Sequence, residues 1–113
     1  MIVRRMFAIA GLGVAILAGT TIAYAAYEKS LEGKPRPPEK DGFSAEQRFF
    51  LGWAQVWGVN QRIEYARLMA NTNPHPLAKF RGNGPTSNMA EFAKAFGCKK
   101  GDAMVRENAC KIW

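Results

Sequence analysis

The chain has little of what metal and nucleophile sites are made from: its 113 residues include one histidine, His75, and two cysteines. A catalytic zinc site usually needs two or three histidines, often as His-Glu-x-x-His on one helix. A single histidine cannot supply that set, and the cysteine spacing does not suggest a metal site either. The sequence also lacks a Gly-x-Ser-x-Gly nucleophile motif, a P-loop and a dinucleotide-binding fingerprint. It therefore predicts no metal site within this chain.

Acidic residues are also few, nine against sixteen lysines and arginines, which leaves a net charge of +7. The basic residues are dispersed in runs of at most two, and no nucleic-acid-binding module is recognisable. A solvated basic surface accounts for this distribution better than a nucleic-acid-binding patch does. We expect no nucleic-acid partner.

One segment, residues 6–27, lacks charge altogether. It is long enough to cross a bilayer as a helix, and Arg4 and Arg5 would hold its N-terminal end in the cytoplasm. It also has the features of a signal peptide that would be cleaved after Ala25. A third interpretation is a buried helix rich in glycine and alanine. We expect an exported or membrane-associated chain, with residues 28–113 on the periplasmic or extracellular face.

Helical periodicity dominates the remainder, and no alternating strand pattern is present. The capping box of Ser44 and Gln47 begins a helix at about 44–57, a second is predicted at about 60–71, and Asn88 begins a third. The sequence predicts an all-α fold: a signal- or transmembrane-like helix, about three short helices and a long irregular loop. The predicted divisions are an apolar segment at 1–27, a proline-rich charged linker at 28–43 and a C-terminal module at 44–113.

The predicted loop, residues 72–87, contains three prolines and two glycines. Long loops in compact domains are usually functional or disordered. His75 lies between two prolines that restrict the backbone, so its imidazole should project from a stiffened loop. Together with Arg81, it can hydrogen-bond a carbonyl and stabilise an oxyanion. The alternative is an exposed histidine near a solvated arginine.

Cys98 and Cys110 are candidates for disulfide bonds, either to each other or to another chain. No histidine lies near them in sequence to activate a thiolate. We therefore interpret them as disulfide partners rather than nucleophiles.

Several stretches carry a further signal in their order and spacing. They are Asp41-Gly-Phe-Ser-Ala-Glu-Gln-Arg-Phe-Phe-Leu-Gly-Trp-Ala-Gln-Val-Trp57, Asn73-Pro-His-Pro-Leu-Ala-Lys-Phe-Arg81, Ala95-Phe-Gly-Cys98 and Cys110-Lys-Ile-Trp113. Together they resemble the C-terminal portion of the neprilysin and endothelin-converting-enzyme family of zinc metallopeptidases. The resemblance implies a fragment of a thermolysin-like catalytic domain and zinc as the cofactor of the full-length family.

The resemblance also implies roles for individual residues. His75 takes the place of the family's transition-state-stabilising histidine, and Arg81 that of the arginine that binds the substrate carbonyl. The family's late cysteines bond to cysteines far upstream, so Cys98 and Cys110 would lack their usual partners within this chain.

Residues 23–31 resemble the family helix that follows the third zinc ligand. By this resemblance the ligand glutamate should fall at Leu12 and its supporting aspartate at Ile16, and both residues are apolar. The His-Glu-x-x-His helix would lie further upstream and is missing from the sequence. Two interpretations of residues 1–31 remain: a truncated or frame-disrupted peptidase gene, or an export signal that precedes the C-terminal module.

We therefore expect a C-terminal fragment of a neprilysin-type zinc metalloendopeptidase that does not hydrolyse peptide bonds by itself and holds no cofactor. Its expected partners are a full-length or complementary metallopeptidase chain, peptides, and a membrane contacted by residues 6–27. The alternative is a tethered or exported binding or regulatory module that docks on a full-length peptidase or on peptides. A third possibility is a single-pass membrane protein without enzymatic use.

Overall fold

The computed structural model describes residues 2–111, with side chains from residue 15 onwards. This part of the chain is helical. Its five helices are α1 (Ile2–Ser30), α2 (Ala45–Trp57), α3 (Ile63–Thr72), α4 (Ala78–Ser87) and α5 (Ala90–Phe96). The predicted architecture, a signal- or transmembrane-like helix with about three short helices and a long loop, is therefore wrong in two respects.

The N-terminal helix is the first point at which the structure differs from the prediction. α1 packs against α4 and buries Leu17 and Thr20, which are 6% and 3% exposed. The Thr20 and Thr21 hydroxyls donate to backbone carbonyls four residues earlier, so both polar groups are satisfied within the helix. In the part of the chain that the structure describes, no helix combines the length and the apolar character needed to cross a membrane. The described portion of α1 is a packed helix of the domain.

The second difference concerns residues 72–87, more than half of which form α4 rather than an irregular loop. Pro85 lies inside this helix, where a proline removes a hydrogen bond and usually clashes with the preceding turn. Gly84 reduces that clash because it has no Cβ to collide with the proline ring. Sequence composition alone favours a loop here, but packing against α1 and α2 overrides it.

Polar side chains add hydrogen bonds to backbone carbonyls in the C-terminal half of α4. The Thr86 hydroxyl donates to the Gly82 carbonyl at 3.1 Å, and the Ser87 hydroxyl donates to the Gly84 carbonyl at 2.9 Å. The Asn88 amide donates to the same Gly84 carbonyl at 2.7 Å. Asn88 is therefore the C-cap of α4, and its prediction as the start of the next helix is wrong, because Met89 occupies that position.

The other helix ends match the ends predicted from the sequence to different degrees. Ser44 and Gln47 form the predicted reciprocal capping box of α2, with side-chain-to-backbone distances of 3.2 and 2.9 Å. Gly97 ends α5 in the left-handed conformation, φ 64°, that glycine adopts most readily. α3 begins at Ile63 rather than at about residue 60, and Arg62 makes no side-chain cap.

The core forms where three segments meet: Leu17 of α1, Phe50 of α2 and Met89 before α5. Among the described side chains, Phe50 is the most buried large one, 2% exposed. Its ring centroid lies 5.3 Å from those of Tyr24 and Phe92, stacked on the first and edge-on to the second. Aromatic pairs at this separation add to the hydrophobic gain of burial. Phe50 therefore joins α1 and α5 to α2.

The connection between α1 and α2 is fixed by one arginine. The Arg36 guanidinium lies 2.9 Å from the Glu28 carboxylate of α1 and 3.1 Å from the Glu46 carboxylate of α2. Burial, assisted by the adjacent Glu28 carboxylate, raises the pKa of Tyr24 to about 12. Through these two ion pairs, Arg36 ties α1 and α2 to the chain segment between them.

We predict that Phe50→Ala lowers the free energy of unfolding by about 3–5 kcal/mol, since it leaves a cavity at the junction of three helices. A domain of this size has only about 5 kcal/mol or slightly more in total, so the variant should lose most of its cooperative urea transition. Phe80→Ala is the matched control, because Phe80 is 62% exposed. Equal effects of the two substitutions on the urea midpoint would contradict the assigned core.

We also predict that Glu46→Gln flattens the acid dependence of stability. In the folded chain the pKa of Glu46 is lowered, chiefly by a hydrogen bond from its own backbone N–H, with smaller contributions from Ser44 and Arg36. A carboxyl group whose pKa is lower in the folded state stabilises the fold at neutral pH, and this contribution disappears as the pH falls through the folded-state pKa.

Urea titrations should therefore show a stability gap between the parent chain and Glu46→Gln at pH 7 that closes below pH 4.5, the ordinary pKa of a glutamate. Glu32→Gln is the control, because Glu32 lies in an exposed pair with Lys29 that should contribute little. A gap that stays constant down to pH 3 would rule out this role for Glu46.

Candidate functional site

His75 and Arg81 line the same cavity, about 220 Å³ in volume, between the end of α2, the exposed helix α3 and the start of α4. The structure therefore brings together the two residues that the sequence singled out. Tyr65 and Met69 of α3 form another wall, and Trp57 of α2 lines the cavity beside Arg81. The arrangement is an open cleft in which His75 and Arg81 lie among both polar and apolar side chains.

The loop before α4 presents His75 to solvent. The backbone N–H of His75 donates to the Asn73 side-chain oxygen at 2.9 Å, and the Asn73 N–H donates to the Met69 carbonyl at 2.9 Å. These bonds fasten the loop to the end of α3. Within the described residues, the imidazole itself has no hydrogen-bond partner, so both of its nitrogens are available to a ligand.

Arg81 is held by stacking rather than by an acid. Its guanidinium carbon lies 4.0 Å from the centroid of the Trp57 ring, and the Arg81 side chain is half-buried. The Nε–H of Arg81 is fully buried and has no protein acceptor in the described part of the chain. Stacking occupies the face of the guanidinium and leaves the N–H groups along its edge free for a carbonyl or carboxylate.

Trp57 is a site residue that the sequence pattern alone does not single out. Its indole N–H is also buried without an acceptor among the described residues. Trp53 differs, because its indole N–H donates to the Gly82 carbonyl at 3.2 Å. Trp57 and Arg81 lie far apart in sequence, so no spacing rule links them. One local sequence feature, the glycine at position 82 directly after Arg81, is consistent with a close helix contact.

Gly82 allows α4 to approach Trp57. A Cβ atom added to Gly82 would lie 3.2 Å from the Trp57 Cβ, which is closer than nine in ten such contacts in proteins. Gly82 is buried, and its carbonyl accepts the bond from Trp53. Because Gly82 has no side chain, α4 can lie close to α2, and Arg81 can stack on Trp57.

The described residues do not fit a zinc ion. They contain no group of three or more histidine, cysteine, aspartate or glutamate side chains close enough to bind a metal. Ile16, where the family resemblance would place the supporting aspartate, lines an adjoining cavity with an apolar side chain. No step that requires a metal is therefore assigned to residues of this chain.

The two cysteines are free thiols in the structure, Cys98 half-buried and Cys110 exposed. The Cys110 N–H donates to the Asn88 side-chain oxygen at 2.9 Å, which holds the C-terminal segment beside α4. Pairing of either cysteine with another chain stays a prediction. The expected export of the chain also stays a prediction.

We predict opposite consequences for two glycine-to-alanine substitutions. Gly52→Ala lies in α2 with open space around the added Cβ, so it should raise the free energy of unfolding by about 0.5–1 kcal/mol through helix propensity. Gly82→Ala should lose this gain or reverse it, because its methyl group presses on Trp57. Chemical unfolding of both variants checks this, and an equal gain for both would mean that the α2–α4 contact is not tight.

Comparison with known proteins places this geometry in context. The model of Peptidase family M13 matches residues 9–112. The Endothelin-converting enzyme homolog of Locusta migratoria is 37% identical over 105 residues, and the Neprilysin of Homo sapiens is 35% identical over 105 residues. Each match covers 91% of this chain and 14% of the relative, so the chain spans about one-seventh of the length of these proteins.

Solved structures agree with the sequence comparison. The Mycobacterium tuberculosis zinc metalloprotease Zmp1 in complex with an inhibitor superposes with a TM-score of 0.81 at 36% identity, covering 89% of this chain and 15% of Zmp1. The open state of the same protein gives a TM-score of 0.78 at 37% identity, covering 86% and 15%. Because the family match covers most of the chain and the helices superpose, this chain belongs to Peptidase family M13.

Proposed function

We propose that this chain forms the substrate-facing side of an M13-type peptidase site, where it binds the backbone of a peptide. The observation that carries this proposal is Arg81, stacked on Trp57 with an unpartnered buried N–H, in the same cavity as His75. A buried donor without an acceptor is costly in the free protein. A peptide carbonyl supplies the missing acceptor.

Arg81 and His75 have different tasks in this proposal. The guanidinium edge of Arg81 donates to a substrate carbonyl and orients the peptide along the cavity. The imidazole of His75 donates an N–H to the oxygen that becomes negative when a neighbouring peptide bond is attacked. The interaction with Arg81 is strengthened because its half-buried side chain is shielded from part of the surrounding water.

The same residues define what the chain does not do by itself in this proposal. Peptide hydrolysis also needs an activated water and a base, and the zinc metalloproteases among its structural relatives are named for their metal. With one histidine and without a metal-ligand cluster in the described residues, this chain binds a peptide without cleaving it.

The partner that we propose is the remaining part of an M13-type peptidase domain. α3 buries none of its residues, and three of its apolar side chains, those of Ile63, Tyr65 and Leu68, are 58%, 51% and 54% exposed. Exposed apolar side chains in this number on one short helix are usually covered by protein. The relatives are about seven times longer than the matched region, and their additional chain is the source of such a cover. No feature of the described residues favours the regulatory-module alternative over this one.

The test uses the full chain and a short apolar peptide blocked at both ends, so that only backbone groups are offered. Isothermal titration calorimetry should detect binding, and Arg81→Lys should weaken it about 10- to 100-fold, because lysine lacks the stacked planar fork. Arg67→Lys on the exposed face of α3 is the matched control and should bind like the parent chain. Identical affinity of the Arg81→Lys variant would overturn the proposed role.

Cleavage is followed in the same samples by mass spectrometry, with and without added zinc. We expect the peptide to remain intact in both. Zinc-dependent cleavage by the purified chain, abolished by a chelator, would contradict the assignment of a binding role without hydrolysis.

A further inference from the structure

We propose that a second cavity, between α1, α4 and the segment after α5, binds an apolar carboxylate about the size of one N-acylated amino acid. The cavity has a volume of about 320 Å³. This lies at the low end of the range for small-molecule sites, about 300–1,000 Å³. Ile16 and Leu17 of α1, together with Phe80 of α4, provide apolar lining.

The charged groups of this cavity are of one sign. Arg81 and Arg106 both line it, and no aspartate or glutamate is among the described lining residues. The ion pairs observed in the described chain involve Arg36 and Lys29, and neither cavity arginine takes part in one. Glu107 follows Arg106 in sequence but does not line the cavity. The electrostatic potential of the cavity is therefore positive, and it favours an anion.

Arg106 is oriented before any ligand arrives. Its Nε donates to the Ser87 hydroxyl at 3.2 Å, and its backbone N–H donates to the Ser87 carbonyl at 3.1 Å. These two bonds attach Arg106 to the end of α4. The terminal nitrogens of its guanidinium have no acceptor among the described residues and stay available for a carboxylate.

Arg81 supplies the second donor. Its Nε–H is buried without an acceptor, although a buried donor normally finds one. The side chain of Ile16, which lines the same cavity, cannot accept a hydrogen bond, and the Ile16 carbonyl already accepts one from the Thr20 hydroxyl. A carboxylate in this cavity is therefore an alternative acceptor for the N–H that the proposed function gives to a peptide carbonyl, and the two ligands would compete for Arg81.

The apolar lining determines what kind of anion fits. A small hydrated anion such as phosphate would leave Ile16 and Leu17 uncovered and would lose its water against them. A carboxylate attached to an apolar body places its charge beside the arginines and its body on the apolar wall. The inference shares Arg81 with the proposed function but uses neither His75 nor Trp57, which do not line this cavity.

The experiment titrates the full chain with N-acetyl-L-phenylalanine and with its amide, which has nearly the same shape but no charge. By calorimetry or NMR we expect the carboxylate to bind at least about tenfold more tightly than the amide, since two guanidinium groups contact it. Inorganic phosphate should bind no better than the amide. Equal affinity for carboxylate and amide would overturn the proposal.

Two substitutions test the assigned residues. Arg106→Gln should weaken carboxylate binding about tenfold, and Ile16→Asp should weaken it further, because its own carboxylate competes for both arginines. Arg62→Gln, an exposed arginine outside the cavity, is the control and should leave the affinity unchanged. Circular dichroism confirms that each variant folds, and since Arg106 is exposed, that variant remains informative if Ile16→Asp unfolds. An unchanged affinity in Arg106→Gln would overturn the proposal.

The two proposals fail in different ways. Arg106→Gln should bind the end-blocked peptide like the parent chain, because Arg106 does not line the cavity with His75. If that peptide does not bind but N-acetyl-L-phenylalanine binds through Arg106, the carboxylate site stands and the proposed peptide-binding function does not. If the peptide binds but carboxylate and amide are equal, only the proposed function stands.

Discussion

The small buried residues of α4 are the constraint on which the rest of the structure depends. Gly82, Pro85, Thr86 and Ser87 are buried, and none has a bulky side chain. Three other helices, α1, α2 and α5, can therefore pack against α4. A short helix of low intrinsic propensity is stable here because its neighbours hold it. Both cavities are lined by α4, so their shapes follow from the same packing.

Local sequence chemistry predicts some elements of this fold well. The capping box at Ser44 and the glycine stop at Gly97 are readable because each involves neighbouring residues only. α4 cannot be predicted from neighbouring residues in this way. Its glycines and proline predict a loop, and its helical state depends on contacts with α1 and α2 that lie far away in sequence. The membrane-spanning interpretation of residues 6–27 is wrong for a similar reason, because an apolar run does not reveal what covers it.

The candidate site also contains some residues that the sequence indicates and others that only the fold reveals. His75 and Arg81 could be singled out because they lie six positions apart in an unusual proline-rich stretch, and a family resemblance gave them roles. Trp57 and Arg106 could not be placed, because their importance comes from contacts with Arg81 and Ser87 that only the fold creates. The positive charge of the second cavity likewise becomes visible only once the two arginines are brought to its walls.

The exposed helix α3 has a consequence for how tightly the cleft can hold anything. α3 buries no residue and makes no extensive contact with another helix of the described chain, yet Tyr65 and Met69 form one wall of the cavity with His75. Segments with few buried contacts open locally without unfolding the core. The apparent affinity of such a cleft is the intrinsic affinity scaled by the fraction of molecules in which its wall is in place. Any protein surface that covers α3 therefore acts as a positive effector of the cleft, even if it contacts no ligand itself.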